Sequence, residues 1–387
     1  MSPATVERVP PATDRPRLLI LSFSSIAGDA RVLKQVALFR DDYAVTTCGF
    51  GEAPEGVVEH VQIPRGLTAA KPYSRLLRLR LFRVAYWRQS GPRWVQRALR
   101  GREWHAVIAN DPESLPLALA LVPADRVHAD LHEYSPRMRE QWPNWSRLYR
   151  PYYEWLIRRF AARAASRTTV SQGLADEYRR VFGVEIGLVT NAAPRQNLEP
   201  RPTGSPIRLV HSGGAMQHRG LEEIVEGVGL TAADVTLDLY LVPTDPALVE
   251  RLKAEAGDRV TIHPPVPYAE LAAVLNSYDA GLHFLAPVNF NHAHALPNKI
   301  FDYVQARLAL VIGPTPEMAR VVEQFGLGWV ADGFSAEAVA TVLDGLDAVA
   351  VDRAKAAAHA AAGPLSAEQQ VEPWREAIAA IIERTHP

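Results

Sequence analysis

The chain holds one cysteine, Cys48, among 387 residues. A single thiol excludes an intramolecular disulfide and every metal site that needs several cysteines. Cys48 lies in the apolar run YAVTTCGF, where a thiol acts as a small core filler. No apolar run reaches the length of a membrane-spanning helix. The first sixteen residues are proline-rich, mix acids with bases and lack an apolar leader core, so residues 1–16 are expected to be disordered and the chain cytoplasmic. A G-x-G-x-x-G fingerprint is also missing. The loop SSIAGDAR has one glycine where three are needed, and Asp29 would face any phosphate placed there. That argues against a nicotinamide or flavin enzyme.

What is present suits a globular protein: 48% hydrophobic and 22% charged residues, in a length that fits two domains of about 150 residues and a tail. The net charge of −1 conceals an asymmetry. Residues 1–190 carry 28 Lys+Arg against 19 Asp+Glu, whereas residues 191–387 carry 14 against 24. Two halves of opposite sign read as two domains meeting different chemistry. Residues 65–102 concentrate the excess, with eleven Arg+Lys, no acid, and Tyr73, Phe82, Tyr86, Trp87 and Trp94 interleaved. Such a stretch suits an anionic acceptor or peripheral contact with a membrane headgroup surface. A solvated basic helix packed on the sheet remains open. No nucleic-acid reading motif accompanies the charge, so nucleic acid is not an expected partner.

Strand and helix patterns alternate along the chain. Strands are expected at 16–24, 43–50, 105–111, 126–132 and 166–170, with helices from SSIAGDARVLKQVALFRD, over 115–121 and over 147–165. Four prolines in 189–206 mark a joint. A second series follows, with strands at 207–213, VTLDLYLV, RVTIHPPV, AGLHFLA and LALVIG. Its helices are expected over 219–230, 246–256, 268–277, 298–307, 315–325 and 335–349. The last segment should be one helix, kinked or restarted near Pro373. The expected domains are 17–192 completed by 365–387, a linker at 193–206, and 207–364. Each is a doubly wound α/β unit, so ligands belong beyond the carboxyl ends of the strands.

Four segments could carry chemistry. Gly28 and Asp29 follow the first strand and could line a cleft, although an ordinary strand-to-helix turn explains them equally. In HSGGAMQHRGLEEIVEG a strand runs into Gly213 and Gly214, and a helix starts near Arg219; bare amides beside a cation make an anion site. In FNHAHALPNKIFDYVQARLALVIG, Lys299 lies in the first turn of a helix and Asp302 one turn further. Lys299 opposes the helix dipole there, which a nearby phosphate would rationalise, and Asp302 could accept hydrogen bonds from hydroxyls. His292 and His294 would need a third ligand to hold a metal, and spacing names none. No metal site is expected. At ADLHEY, His132 and Glu133 stand at a strand's carboxyl end.

These segments, in this order, resemble the GT-B glycosyltransferases, specifically the retaining family 4 type. DARVLKQ resembles the family's opening helix, NDPESLPLALAL the segment with an acid before a helix, ADLHEYSP its Asp-x-His-Glu element, and TTVSQGLADEY and VTNAAP the joint carrying Ser171 and Asn191. LPNKIFDYVQARLALVIGPTPEMARVV resembles the donor-site signature and is the most specific match. The resemblance implies α/β GT-B architecture, two Rossmann-like domains facing across a cleft, with a nucleotide sugar as donor substrate and no metal or other cofactor. It implies catalytic roles for His132, Arg219 and Lys299. Donor contacts would come from Gly213, Gly214, Pro264, Val266, His294 and Asp302. Asp111, Glu133, Gly28 and Asp29 would lie toward a polysaccharide, glycolipid or small natural-product acceptor. Several positions depart from the family pattern. Gly214 stands where an arginine is usual, His294 and Asp302 replace a pair of glutamates, and Arg307 replaces a glycine. A catalytically weak partner subunit, a nucleotide-sugar epimerase of the same fold, and a periplasmic-type two-domain binding protein, which the missing export signal disfavours, are the alternatives.

Overall fold

Apolar runs punctuated by glycine, serine and asparagine build the strands. Leu18–Leu21, all fully buried, form the centre of β1 (Arg17–Ser25). The computed structural model describes residues 15–217 and 219–385. Of residues 1–16, expected to be disordered, 1–14 lie outside them, and Arg15 donates to the Arg40 carbonyl at 2.8 Å. The first sheet continues through β2 (Ala44–Phe50), β3 (Glu59–Gln62), β4 (Ala106–Asn110), β5 (Val127–Asp130), β6 (Ser166–Thr169) and β7 (Gly187–Leu188), in the order β3-β2-β1-β4-β5-β6-β7. The second comprises β8 (Ile207–Gly214), β9 (Val235–Val242), β10 (Val260–His263), β11 (Ala280–His283), β12 (Ala309–Ile312) and β13 (Gly328–Val330), in the order β10-β9-β8-β11-β12-β13. Every pairing is parallel. Helices supply the crossovers and bury both faces.

The chain divides into two compact units, residues 1–170 with 174–189 and 371–387, and residues 171–173 with 190–370. The closing helix Glu372–Thr385 belongs to the first. Its Trp374, Ile378 and Ile381 share a core with Leu18, Ile20 and Ile108. Pro373 sits in that helix's first turn, after the short helix Ala367–Gln370, so the closing segment restarts there. Residues 193–206, expected as a joint, are tied to the second unit. Gln196 N donates to Gln305 Oε1 at 3.1 Å, and Thr203 Oγ1 to Asp352 Oδ1 at 2.6 Å.

Three strands escape the sequence pattern: β3, β7 and β13, each an edge strand of two to four residues. The single helix expected over 147–165 is three pieces. A π-helical turn (Trp145–Tyr149) leads into the helix Arg150–Arg159, and a 3-10 turn follows at Ala161–Arg163. Pro151 lacks the N–H that would continue an earlier helix, so the regular helix begins around it. Among the described residues no helix is long and apolar enough to cross a membrane.

Candidate functional site

In the second unit the carboxyl end of β8 and the start of the helix Asn298–Gln305 converge. Gly213 has φ +148°, and a β-carbon there would lie 2.5 Å from Lys299 Nζ. Only glycine lets the amine rest against the end of the strand. Gly220 caps the helix Leu221–Leu230 in a left-handed conformation (φ +70°), and a β-carbon there would meet the Phe284 carbonyl at 2.2 Å. The side chain of Arg219 is partly exposed beside this helix start. Gly214 is different: a β-carbon would reach Thr244 Oγ1 at an ordinary 3.4 Å, so packing does not demand glycine there.

Burial, then repulsion from Arg219, lowers the Lys299 amine to about 8, with Asp302 pulling the other way. Gly213, Arg219, Lys299 and Asp302 thus share one electrostatic neighbourhood. Beneath it lie two histidines that sequence reasoning did not assign. His211 donates through Nδ1 to the Leu282 carbonyl (2.9 Å), and burial followed by Lys299 lowers it to about 3. His283, fully buried, has neither ring nitrogen partnered, and burial and Lys299 hold it well below the usual imidazole range. Both rings are neutral under a cationic turn. The signal for His283 was one histidine in the otherwise apolar AGLHFLA.

Asp302 accepts a hydrogen bond from Tyr268 at 3.3 Å and lines a cavity of about 240 Å³ with Tyr268, Gln196 and Gln305. Pro264 and Val266 follow the carboxyl end of β10, with Pro264 exposed. His294 is held through its backbone, beside Glu317. Its carbonyl accepts from Ser171 Oγ at 2.8 Å, and its Nδ1 stands 3.7 Å from Glu317 Oε1. Glu317 also accepts from the Gly173 amide at 2.8 Å and pairs with Arg320, a role the sequence reading missed. Arg307 has φ +63°, the backbone that a glycine would supply. Its guanidinium offsets the strain by donating to the carbonyls of Val304, Gln305 and Gln196. Among the described residues, no group of three or more His, Cys, Asp or Glu is arranged to hold a metal ion.

In the first unit, the DARV and ADLHE segments meet in a buried network. Arg31 makes a bidentate pair with Asp130, Nε to Oδ2 and Nη2 to Oδ1, each at 2.7 Å. Asp130 also accepts from Gln35 at 2.9 Å and Thr168 at 2.7 Å. Burial alone would raise its carboxyl, but Arg31 outweighs this and holds it far below the usual range. The strand ends at Asp130 rather than at His132, so His132 stands two residues beyond it. His132 Nε2 lies 3.1 Å from both Asp130 Oδ2 and Asn110 Oδ1, and its Nδ1 is 3.7 Å from Asp111 Oδ2. Burial lowers the ring's proton affinity, yet Asp111 and Asp130 together raise it above the ordinary value. Asp111 adopts φ +63°, and its Oδ1 accepts from the His132 amide at 3.3 Å. Asp29 caps the helix Ala30–Phe39, accepting from the Arg31 and Val32 amides. Gly28 faces open space, and Glu133 is exposed, with its carbonyl accepting from Tyr178.

No family model matches the chain, and no curated protein matches it. Solved structures do. A glycosyltransferase from Rickettsia africae has a TM-score of 0.69 at 13% identity, covering 96% of this chain and 99% of that one. Anabaena HepE, solved in complex with UDP, has a TM-score of 0.72 at 15% identity, covering 94% and 100%. The sucrose-phosphate synthase of Thermosynechococcus elongatus has a TM-score of 0.68 at 12% identity, covering 95% and 100%. Identities this low establish shared fold. The chain has the GT-B architecture, two parallel-sheet α/β domains of seven and six strands.

Proposed function

We propose that the chain is a glycosyltransferase that moves a sugar from a nucleoside diphosphate sugar to an acceptor hydroxyl. The observation that carries this reading is the Lys299 amine packed against Gly213 at the end of β8, with Arg219 and Asp302 in its field. HepE has been solved with UDP-glucose, which supports the same donor class here.

In this reading the diphosphate lies along Gly213 and Gly214, toward the amides that open the helix Leu221–Leu230, with Arg219 and Lys299 as counter-charges. Asp302 takes the ribose hydroxyls, and the backbone near Pro264–Val266 meets the base. His132 and His294 hydrogen-bond the transferred sugar. The bond from the anomeric carbon to the diphosphate oxygen breaks as the acceptor oxygen bonds to that carbon on the same face, so configuration is retained. The acceptor proton passes to the departing phosphate oxygen. Stabilising that oxygen is the main electrostatic task, and two side-chain cations with helix amides perform it without a metal. The acceptor meets the basic first domain, whose segment 65–102 also serves as a peripheral contact with the inner face of a membrane.

A thermal-shift panel of UDP, GDP, TDP and ADP tests the reading. One nucleotide should raise the melting temperature, and Arg219→Ala or Asp302→Ala should remove that shift. The absence of any shift across the panel would refute the donor site.

A further inference from the structure

The first unit contains a cavity of about 730 Å³ at the carboxyl ends of β1 and β4, within the roughly 300–1,000 Å³ of small-molecule sites. One wall is aromatic. Trp145 stacks on Tyr149 (centroids 5.0 Å apart, planes at 14°) and on Tyr153 (5.5 Å, 21°), while Trp142 is 52% exposed beside them. A second wall carries cations. Arg139 lies 4.7 Å over the Trp142 ring, and neither it nor Lys71 has a carboxylate partner among the described residues. Asp111 and Glu113 close the cavity from the end of β4, and the Tyr153 hydroxyl donates to Glu113 Oε1 at 2.6 Å.

Each wall asks for a different part of a ligand. The flat, exposed ring of Trp142, backed by the buried stack of Trp145, takes the apolar face of a pyranose ring. Carboxyl groups accept from, or when protonated donate to, its hydroxyls. Unpaired cations at the rim of a partly desolvated cavity call for an acid group on the same molecule. A nucleotide base would also stack, but the paired carboxyls would repel its phosphates at one end.

We propose that this cavity binds an anionic saccharide as acceptor, its ring on Trp142, its acid group at Lys71 and Arg139, and a hydroxyl toward Glu113. The proposal rests on the transferase reading and adds the acceptor class. Burial, then the neighbouring Asp111, raises the Glu113 carboxyl to about 7, so near neutral pH it both accepts and donates. Lys71 belongs to the acid-free stretch 65–102, so the acid group could be that of a soluble sugar phosphate or uronate, or of a saccharide lipid headgroup.

Tryptophan fluorescence titration of the full chain provides the test, with glucose 1-phosphate, glucuronate and glucose as soluble probes. Vesicles of phosphatidylcholine with and without phosphatidylinositol form the second arm. Quenching by an anionic probe at concentrations where glucose is silent is expected. The arm that responds identifies the source. Lys71→Ala and Arg139→Ala, both at exposed positions, should each weaken that response about tenfold while nucleotide binding persists. Equal responses to glucose and glucose 1-phosphate, silence in both arms, or unchanged titrations in both variants would overturn the proposal. Lost nucleotide binding in the wild type would instead remove the transferase reading beneath it.

Discussion

Lys299 and His132 carry opposite duties, and their surroundings set opposite shifts. Lys299 is charged below about pH 8 and neutral above it, because burial and Arg219 favour the neutral amine. Affinity for a nucleoside diphosphate should therefore fall as pH rises from 7.5 to 9.5, and calorimetry on Lys299→Arg should lose that decline. Lys299→Met should bind about 10- to 100-fold more weakly, the loss of a charge-assisted contact. His132 is raised, so it contributes stability fully below its ordinary value near 6.5, and that contribution is lost as pH rises through the raised native value. Melting temperature measured from pH 6 to 9 should slope downward less in His132→Gln than in the wild type. His132→Ala should keep nucleotide binding but lower turnover about 10- to 100-fold, since a sugar hydroxyl loses its partner. Lys299 stood out in the sequence because a cation in a helix's first turn is anomalous, Arg219 because it stands at a helix start after two glycines, and Asp302 because it lies one turn beyond Lys299. Glu113 and Glu317 were not, because Tyr153 and Gly173, which donate to them, lie far away in sequence.

At the scale of elements, the helix Ala30–Phe39 and strand β5 are joined by Arg31 and Asp130, which are 6% and 0% exposed. Asp130→Asn strands a buried guanidinium and should cost about 3–5 kcal/mol, measurable by urea unfolding. The closing helix makes the same point through packing. Trp374 is fully buried, donates to Thr168 Oγ1 at 3.0 Å and lies 4.6 Å beneath the Arg31 guanidinium. Trp374→Ala should cost about 3–5 kcal/mol and also loosen the Arg31–Asp130 pair that orients His132. An intact melting curve in that variant would contradict this packing role. The central strands were legible because they are continuous apolar runs flanked by turn residues. The edge strands β3, β7 and β13 were not, since two to four residues carry no period. The break near Pro151 was missed because the apolar spacing continues through it even though the backbone ladder does not.

For the molecule as a whole, the opposite charges of the two halves now have places. The acidic half holds the turn of Gly213, Arg219 and Lys299, so its cations are local exceptions in a negative domain. The basic half holds the aromatic cavity. Departures from the family pattern also separate by cause. Arg307 supplies a glycine's backbone with its own hydrogen bonds, while Gly214 leaves space that a larger side chain could fill. Amide hydrogen exchange, with and without the nucleoside diphosphate selected by thermal shift, tests the central assignment most directly. Slowed exchange should concentrate in residues 212–224 and 298–303. Protection confined to other segments, with those two unchanged, would contradict it.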